Sequence, residues 1–187
     1  MEKTINFIVE QIKNLSDEKT PVVVAIDGRC ASGKTTIAAC LQEKLSCEVI
    51  HMDDFFLRPE QRTEERLKTP GGNVDYERFL EEVIIPLKQE EAFFYRPYDC
   101  HTQTLKAPVE VKGCPVILVE GSYSCHPCLY ENYDLHIFLD VDKETQLQRI
   151  RLRNGEEMAK SFVQEWIPLE EAYFLVFNIK EKCELKY

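Results

Sequence analysis

The chain has 187 residues, 44% of them apolar and 30% charged, a balance that excludes a disordered protein and predicts one globular domain over residues 1–187. The 33 acidic and 23 basic side chains give a formal net charge of −10, so we expect no nucleic-acid partner and no binding to an anionic membrane surface. A phosphate-rich ligand would require positive charge concentrated at one place and supplemented by a metal ion.

The N-terminal residues lack the basic and apolar segments of a signal peptide, and no apolar stretch reaches the roughly 20 residues that cross a bilayer. A cytoplasmic location is therefore expected, and with it a reducing environment. The eight cysteines are interpreted as free thiols, several of them buried, because a chain of this length needs no disulfides to hold its core. The sequence leaves the oligomeric state open.

Helices and strands predicted from apolar periodicity alternate along the chain. In chain order they are a helix over 2–15, a strand over 21–27, a helix over 34–45, a strand over 47–52, a helix over 76–87, two strands of a hairpin or flap over 92–99 and 104–111, strands over 114–120 and 134–140, and helices over 143–154 and 161–177. The polar residues 57–74 are expected to form a mobile excursion, and Pro168 is expected to kink the last helix. This alternation predicts an α/β fold with a mostly parallel sheet.

Residues 28–35, GRCASGKT, fit the pattern G-x-x-x-x-G-K-[ST] of a phosphate-binding loop (P-loop) between a strand and a helix. In that setting backbone N–H groups bind phosphates, Lys34 reaches the β- and γ-phosphates of ATP, and Thr35 places its hydroxyl on Mg²⁺. The alternative is a glycine-containing turn with an incidental lysine. The predicted nucleotide-binding residues are Gly28, Arg29, Cys30, Ala31, Ser32, Gly33, Lys34, Thr35 and Thr36. Such a loop removes the need for a basic surface.

Acidic residues follow two of the predicted strands, at the edge where open α/β sheets bind ligands. Asp53 is interpreted as the carboxylate that accepts the proton of an attacking hydroxyl, or alternatively as an N-cap or a residue around Mg²⁺. Its neighbour Asp54 is expected to cap a helix. Glu120, at the end of VILVE, is interpreted as a residue that holds Mg²⁺ directly or through water, or alternatively as a cap of the next loop.

Three arginines lie late in the helix predicted over 143–154. Arg149 and Arg153 are four residues apart and share one helix face, so they are the pair expected to reach the phosphates. Arg151 is expected to be solvated or paired with a carboxylate. Alternatively, the whole set complements the C-terminus of the helix.

Cys125-His126-Pro127-Cys128 has the C-x-x-C spacing of a redox pair or of half a zinc site. The chain has no second C-x-x-C, and the segment follows the Glu120 loop instead of opening a thioredoxin-like helix. We therefore interpret it as a loop with two thiols, in which His126 faces the site.

The segments GRCASGKTT, DDFF, NVDYERF, YRPYD and VEG, followed by the arginine-containing helix, resemble the uridine kinase family in content and order over residues 20–177. That family belongs to the P-loop kinases, together with phosphoribulokinase and bacterial pantothenate kinase. The resemblance implies a three-layer P-loop NTPase fold, a mostly parallel central sheet flanked by helices, a small β-hairpin flap at 92–111 and a lid at 149–160.

The resemblance also implies roles for single residues. Asp53 corresponds to the catalytic base, Asp75 to the acid that binds the ribose hydroxyls, Tyr98 to an aromatic beside the nucleobase, His101 to a base-contacting histidine, Glu120 to the Mg²⁺-associated acid, and Arg149 and Arg153 to lid arginines. Considered without the family, Asp75 is equally well interpreted as the N-cap of the helix that follows it. The lid differs from the family pattern, because NGEEMAK after Arg153 contains no further arginine.

The sequence therefore predicts a kinase that uses ATP and Mg²⁺ to phosphorylate a small molecule with a free hydroxyl, a nucleoside such as uridine or cytidine. One alternative is a kinase of another small alcohol, of the pantothenate or sugar-phosphate type. A second alternative is a nucleotide-binding switch without a small-molecule acceptor. The switch of a GTPase is disfavoured because neither N-K-x-D nor D-x-x-G occurs.

Overall fold

The computed structural model describes residues 2–89 and 92–187. In chain order the helices and strands are α1 (Glu2–Ser16), β1 (Val22–Gly28), α2 (Lys34–Leu45), β2 (Glu48–His51), α3 (Glu64–Lys68), α4 (Tyr76–Phe79), α5 (Ile85–Leu87), β3 (Phe93–Tyr95), β4 (Tyr98–Asp99), β5 (Thr104–Leu105), β6 (Val109–Val111), β7 (Val116–Glu120), α6 (Pro127–Tyr130), β8 (Leu135–Leu139), α7 (Lys143–Ser161), α8 (Ile167–Phe177), α9 (Ile179–Lys182) and β9 (Leu185–Lys186). Short 3₁₀ helices span Met52–Phe55 and Pro59–Gln61.

Within the described residues, five parallel strands form the central sheet in the order β2-β7-β1-β8-β9. Every residue of β1 is buried, because helices cover both faces of the sheet. On one face Val24 and Ile26 pack with α1 and α2, and on the other Val23 and Ala25 pack with the aromatic side chains beneath α4 and α8. The α/β P-loop fold with a mostly parallel sheet is confirmed. The short elements α6, α9 and β9 were not predicted.

Residues 57–74 fold into a 3₁₀ helix and α3, whereas the sequence predicted a mobile excursion. Arg66 fastens the segment, since its guanidinium donates to the carbonyls of Gly72 at 2.7 Å and Val74 at 2.8 Å and pairs with Glu77 at 2.6 Å. Gly72 is required here because a Cβ would lie 2.0 Å from the Arg66 carbonyl oxygen. The polar composition of the segment therefore did not indicate that Arg66 would hold it in place.

The predicted flap is an antiparallel hairpin with two separate ladders. β3 pairs with β6 and β4 pairs with β5, and the two ladders are separated at Arg96 and Pro97 because proline has no N–H to donate. A side-chain contact fixes the hairpin to the sheet: the Tyr95 hydroxyl donates to Asp54 Oδ2 at 2.9 Å.

Two prolines lie one residue inside a helix segment that follows a π turn. The turns span Leu80–Ile84 and Phe162–Trp166, and the prolines are Pro86 and Pro168. In each turn an N–H donates five residues back instead of four, as Ile167 does to the Phe162 carbonyl. A π turn thus precedes Pro168, where the sequence predicted a kink.

Helix α7 is longer than predicted and contains a break. It continues to Ser161, but Gly155 has the non-helical angles φ 82° and ψ 167°. The predicted lid at 149–160 thus consists of two short helical pieces joined at this glycine. None of the described helices has the length and apolar character needed to cross a membrane.

Candidate active site

The P-loop connects β1 to α2 and curls back over the end of the sheet. Positive φ angles occur at Gly28 (134°), Ala31 (60°) and Gly33 (103°), backbone conformations that curl the loop. Gly28 must be glycine, because a Cβ would lie 2.0 Å from the carbonyl oxygen of Leu139 on the neighbouring strand. Lys34 is 8% exposed, and its ammonium donates to the carbonyl of Gly28 at 2.8 Å.

The remaining P-loop side chains divide into structural and accessible groups. Arg29 pairs with Asp140 at 2.7 Å and also with Glu171, so its guanidinium already has anionic partners. The hydroxyl of Ser32 is buried and has no hydrogen-bond partner among the described residues. Thr35 and Thr36, at the start of α2, are exposed.

The expected magnesium residues lie in contact. The Thr35 hydroxyl donates to Glu120 Oε1 at 3.2 Å, and His51 Nδ1 lies 2.6 Å from the same oxygen. His51 and Glu120 are register partners on β2 and β7, so the sheet itself brings them together. Hydrogen bonding to Glu120 raises the pKa of His51. Thr35 and Glu120 offer the oxygen ligands that Mg²⁺ prefers, and P-loop sites complete the coordination with phosphates and water.

Asp53 follows β2 in the Met52–Phe55 turn and lies beside the P-loop. Gly121, the residue after β7, has φ 141°, and a Cβ there would lie 3.5 Å from Asp53 Oδ1 and 2.8 Å from the Met52 Cβ. Asp53 keeps exposed surface, but neighbouring residues surround its carboxylate and remove water from it. This desolvation raises the pKa of Asp53, the Lys34 charge lowers it, and the Glu120 charge raises it further.

Asp54 does not cap a helix, and that prediction is corrected. The Met52–Phe55 turn has no side-chain cap, and the Asp54 carboxylate accepts the Tyr95 hydroxyl instead. The Asp54 carbonyl accepts a guanidinium N–H of Arg78 at 2.7 Å. The residue therefore joins the flap to the strand end, a long-range role that its position after a strand could not indicate.

Asp75 is the N-cap of α4, which is the alternative that the sequence left open. Its Oδ1 accepts the Arg78 N–H at 3.1 Å and its Oδ2 accepts the Gln61 side-chain amide at 2.8 Å. Only 1% of the residue is exposed. The Asp75 N–H also donates to the Phe55 carbonyl at 2.7 Å, so the cap lies directly against the turn that carries Asp53.

The two other expected acceptor residues are on the flap. Tyr98 is 4% exposed, and its hydroxyl has no hydrogen-bond partner in the described part of the chain. His101 is exposed in the turn of the hairpin, where its N–H donates to Asp99 Oδ1 at 2.8 Å. The structure therefore places Tyr98 within the fold and His101 at the tip of the flap.

Of the arginine pair, Arg149 contacts the P-loop and Arg153 does not. A guanidinium N–H of Arg149 donates to the Ala31 carbonyl at 3.0 Å. Arg153 instead donates to Asn154 Oδ1 at 2.8 Å and lies 6.0 Å from the Phe162 ring centroid. That both arginines reach the phosphates stays a prediction. Arg151 pairs with Glu156 at 3.2 Å, as expected.

The cysteines are free thiols, with Cys30, Cys47, Cys125 and Cys183 buried. Among residues 2–89 and 92–187 no group of three or more His, Cys, Asp or Glu side chains is arranged to hold a metal ion by itself. His126 is buried and stacks on Tyr76, with ring centroids 4.3 Å apart. The C-x-x-C segment is not a loop, because it spans the start of α6, where His126 Nδ1 accepts the Cys128 N–H at 3.2 Å as the N-cap. Cys125 is buried and Cys128 is exposed.

Asp27 is a buried carboxylate that sequence reasoning missed. It accepts the N–H groups of Gly28 at 2.6 Å, Tyr123 at 3.1 Å and Cys125 at 2.9 Å, and the hydroxyl of Tyr173 at 2.8 Å. Its burial raises its pKa. A charged residue at the end of an otherwise apolar buried strand was the signal, since such a group must find partners.

Glu170 on α8 was also missed. One of its oxygens accepts the Cys30 N–H at 3.0 Å and the other accepts the Ser122 hydroxyl at 2.6 Å. Burial, followed by the charge of Glu170, raises the pKa of the Cys30 thiol to about 12. No local pattern could reveal this contact, because the two residues are far apart in the chain.

The known proteins that this chain resembles in sequence are kinases of small molecules. The chain is 29% identical over 158 residues to uridine-cytidine kinase B of Dictyostelium discoideum, in an alignment that covers 79% of this chain and 64% of that protein. It is 27% identical over 160 residues to a uridine kinase of Ureaplasma parvum, covering 79% and 77% of the two chains. The chain thus spans just under two thirds of the length of the Dictyostelium relative.

A solved structure from Bacillus stearothermophilus, described as that of a possible uridine kinase, matches with a TM-score of 0.73. The match covers 100% of each chain at 22% sequence identity, so it shows the fold. No protein-family model matches the chain.

Proposed function

The chain is a relative of the uridine kinase family, and we propose that it is an ATP- and Mg²⁺-dependent kinase whose acceptor is a hydroxyl of a small molecule, a nucleoside such as uridine or cytidine. One observation carries the proposal. The P-loop, the Thr35–Glu120 pair and the Asp53 carboxylate meet at one edge of the parallel sheet. That edge combines a phosphate site with a base that can receive the proton of a hydroxyl.

Each residue has a distinct task in this proposal. The P-loop N–H groups and Lys34 hold the phosphates, for which the Lys34 ammonium gives up its contacts with the loop carbonyls. Thr35 and Glu120 hold Mg²⁺, which when bound neutralises charge on the phosphate oxygens. Arg149, already against the loop at Ala31, stabilises negative charge from the lid side. Asp53 orients the acceptor hydroxyl and takes its proton, and a raised pKa makes it a stronger base.

The test is an ADP-release screen of the full chain with ATP and Mg²⁺ over uridine, cytidine, purine nucleosides, pantothenate and sugar phosphates. We expect turnover with uridine or cytidine that exceeds the rate without an acceptor, and no turnover when Mg²⁺ is chelated. Turnover confined to a non-nucleoside would contradict the nucleoside assignment. An acceptor-independent rate with every compound would contradict the kinase assignment and favour the nucleotide-binding switch.

One observation favours the second candidate, a kinase of another small alcohol of the pantothenate or sugar-phosphate type. The Asp75 carboxylate, which the family resemblance assigns to the ribose hydroxyls, is covered by the Gln61 amide at 2.8 Å and is 1% exposed. A ribose could reach it only if Gln61 moved. Replacing Gln61 with alanine should therefore improve kcat/KM for a nucleoside if the first candidate is right, and leave nucleosides inactive if the second is right.

A further inference from the structure

Beside the P-loop lies a buried carboxylate for which the proposed chemistry has no use. Glu170 is 5% exposed, and its two oxygens accept the Cys30 N–H at 3.0 Å and the Ser122 hydroxyl at 2.6 Å. Burial of a carboxylate is costly unless its oxygens are hydrogen-bonded. Here both oxygens have neutral donors, and no ion pair with Glu170 occurs among the described residues. The fold therefore maintains an anionic side chain next to a site for anions.

The Glu170 contacts lead to the lysine of the loop. The Ser122 hydroxyl oxygen lies 3.4 Å from Lys34 Nζ and 3.5 Å from the Gly28 carbonyl oxygen. The Ser122 hydroxyl donates its hydrogen bond to Glu170, so the serine oxygen is left to accept a hydrogen bond from the Lys34 ammonium. One carboxylate thus fixes a loop amide directly and the loop lysine through a single hydroxyl.

Helix α8 makes two further contacts with the same strand and loop. Glu171 pairs with Arg29, and the Tyr173 hydroxyl donates to Asp27 Oδ2 at 2.8 Å. Three side chains from about one turn of α8 therefore each bind a different residue of the strand end and loop. The contacts are Tyr173 with Asp27, Glu171 with Arg29, and Glu170 with Cys30. Glu171 is partly exposed, whereas Glu170 is the member of the set that lies under the loop.

We infer that Glu170 is a positioning residue of the P-loop, which aligns Lys34 for phosphoryl transfer through Ser122 and, by its negative charge, weakens nucleotide binding. The inference rests on the proposed function. The two effects are opposite in sign, because the contact with Ser122 orders the lysine while the charge repels phosphate. A residue with only a structural role would not separate affinity from turnover in this way.

The test is Glu170→Gln, which keeps the size of the side chain, removes its charge and leaves one acceptor oxygen where Glu170 has two, so the Cys30 N–H or the Ser122 hydroxyl loses its acceptor. Relative to the wild type, we expect the Kd of ADP, measured by calorimetry, to fall about three- to tenfold. We also expect kcat with the best acceptor of the screen to fall about tenfold, since Lys34 loses its alignment. Glu165→Gln is the matched control, because it makes the same charge change at an exposed position of the preceding turn and should alter neither quantity.

Ser122→Ala provides a second variant that leaves the charge in place. It should lower kcat without tightening ADP binding, and thermal unfolding shows whether either variant is folded. A wild-type chain that binds no ADP overturns the proposed function and this inference with it. Normal wild-type binding together with an unchanged or weaker ADP affinity in folded Glu170→Gln overturns this inference alone. If Glu170→Gln does not fold, an unchanged kcat in Ser122→Ala overturns it.

Discussion

The two sides of the active site are built by different means. On the P-loop side, to which the proposed function assigns the nucleotide, backbone geometry shapes the site: positive φ angles curl the loop, and strand register brings His51 to Glu120. The other side is the acceptor wall of the proposed function, the name used here for residues 57–74 and the flap at 92–111. Side chains fasten it, through Tyr95 to Asp54 and Gln61 to Asp75. Because single side chains hold the acceptor wall, substitutions there can alter which acceptor binds without altering the P-loop.

Asp53 lies where the two sides meet, and its replacement should have the largest effect. We expect Asp53→Asn to lower turnover by roughly 10²–10⁴-fold, because the amide cannot take the acceptor proton. The Kd of ADP should change little, since the phosphates bind through the P-loop. Steady-state kinetics and calorimetry on one preparation check both statements. Near-native turnover would remove Asp53 from the role of base.

His126 lies behind the acceptor wall, stacked on Tyr76. Burial, followed by the charge of Arg66, lowers the pKa of His126 to about 4, whereas an unfolded histidine titrates near 6.5. Between these values only the unfolded chain binds the proton, so the free energy of unfolding falls as the pH drops. The contribution is up to about 3 kcal/mol.

Denaturant unfolding between pH 7 and pH 5 measures this effect. In His126→Phe, which keeps an aromatic ring in the stack, the free energy of unfolding should fall less over that interval than in the wild type. His101→Gln, a change at an exposed histidine, should retain the wild-type slope. Equal slopes in wild type and His126→Phe would show that His126 is not the group responsible.

A comparison of two arginines tests the nucleotide side. Arg149→Gln removes a side chain that contacts the P-loop, so kcat should fall roughly tenfold, or ~1.4 kcal/mol in activation free energy. Arg153→Gln is the matched comparison variant, because Arg153 contacts Asn154 and Phe162 and not the P-loop. Steady-state kinetics should show a smaller loss for Arg153. Equal losses would mean that the lid rearranges to bring both arginines to the phosphates.

The smallest effect is expected at the fastening of the flap. Tyr95→Phe removes the hydroxyl that donates to Asp54, and the free energy of unfolding should fall by about 1 kcal/mol. The KM of the acceptor should rise while the KM of ATP stays constant, because only the acceptor wall is loosened. Tyr187→Phe, at an exposed tyrosine, is the control. An equal rise in both KM values would contradict the separation of the two sides.

The parts of the site that the sequence could predict are those that local geometry determines. Gly28 to Thr35 form a contiguous motif, and Asp53 and Glu120 follow apolar strands, so parallel pairing alone brings them to one edge. Arg149 and Arg153 lie four residues apart in the part of α7 that precedes the break at Gly155, and a role for Arg153 at the phosphates stays a prediction.

Other contacts were beyond sequence reasoning because their partners are distant in the chain. Asp54 contacts the flap, Arg66 ties down residues 57–74, and Glu170 reaches under the P-loop. Each of these contacts depends on which distant polar group the tertiary structure places beside the residue. The periodicity of apolar residues predicts only which face of a helix or strand is buried. The N-cap contact of Asp75 is local, with the Arg78 N–H three residues on, whereas the Gln61 amide that covers its other oxygen is distant in the chain.

The π turn before Pro168 determines the rotational phase of α8. Successive residues of an α-helix are offset by about 100° around its axis, so one additional residue in a turn rotates everything that follows by that angle. With a regular turn, the arc of α8 that carries Glu170, Glu171 and Tyr173 would be rotated by about that angle relative to the P-loop. The extra residue in the π turn therefore sets which side of the helix the P-loop meets.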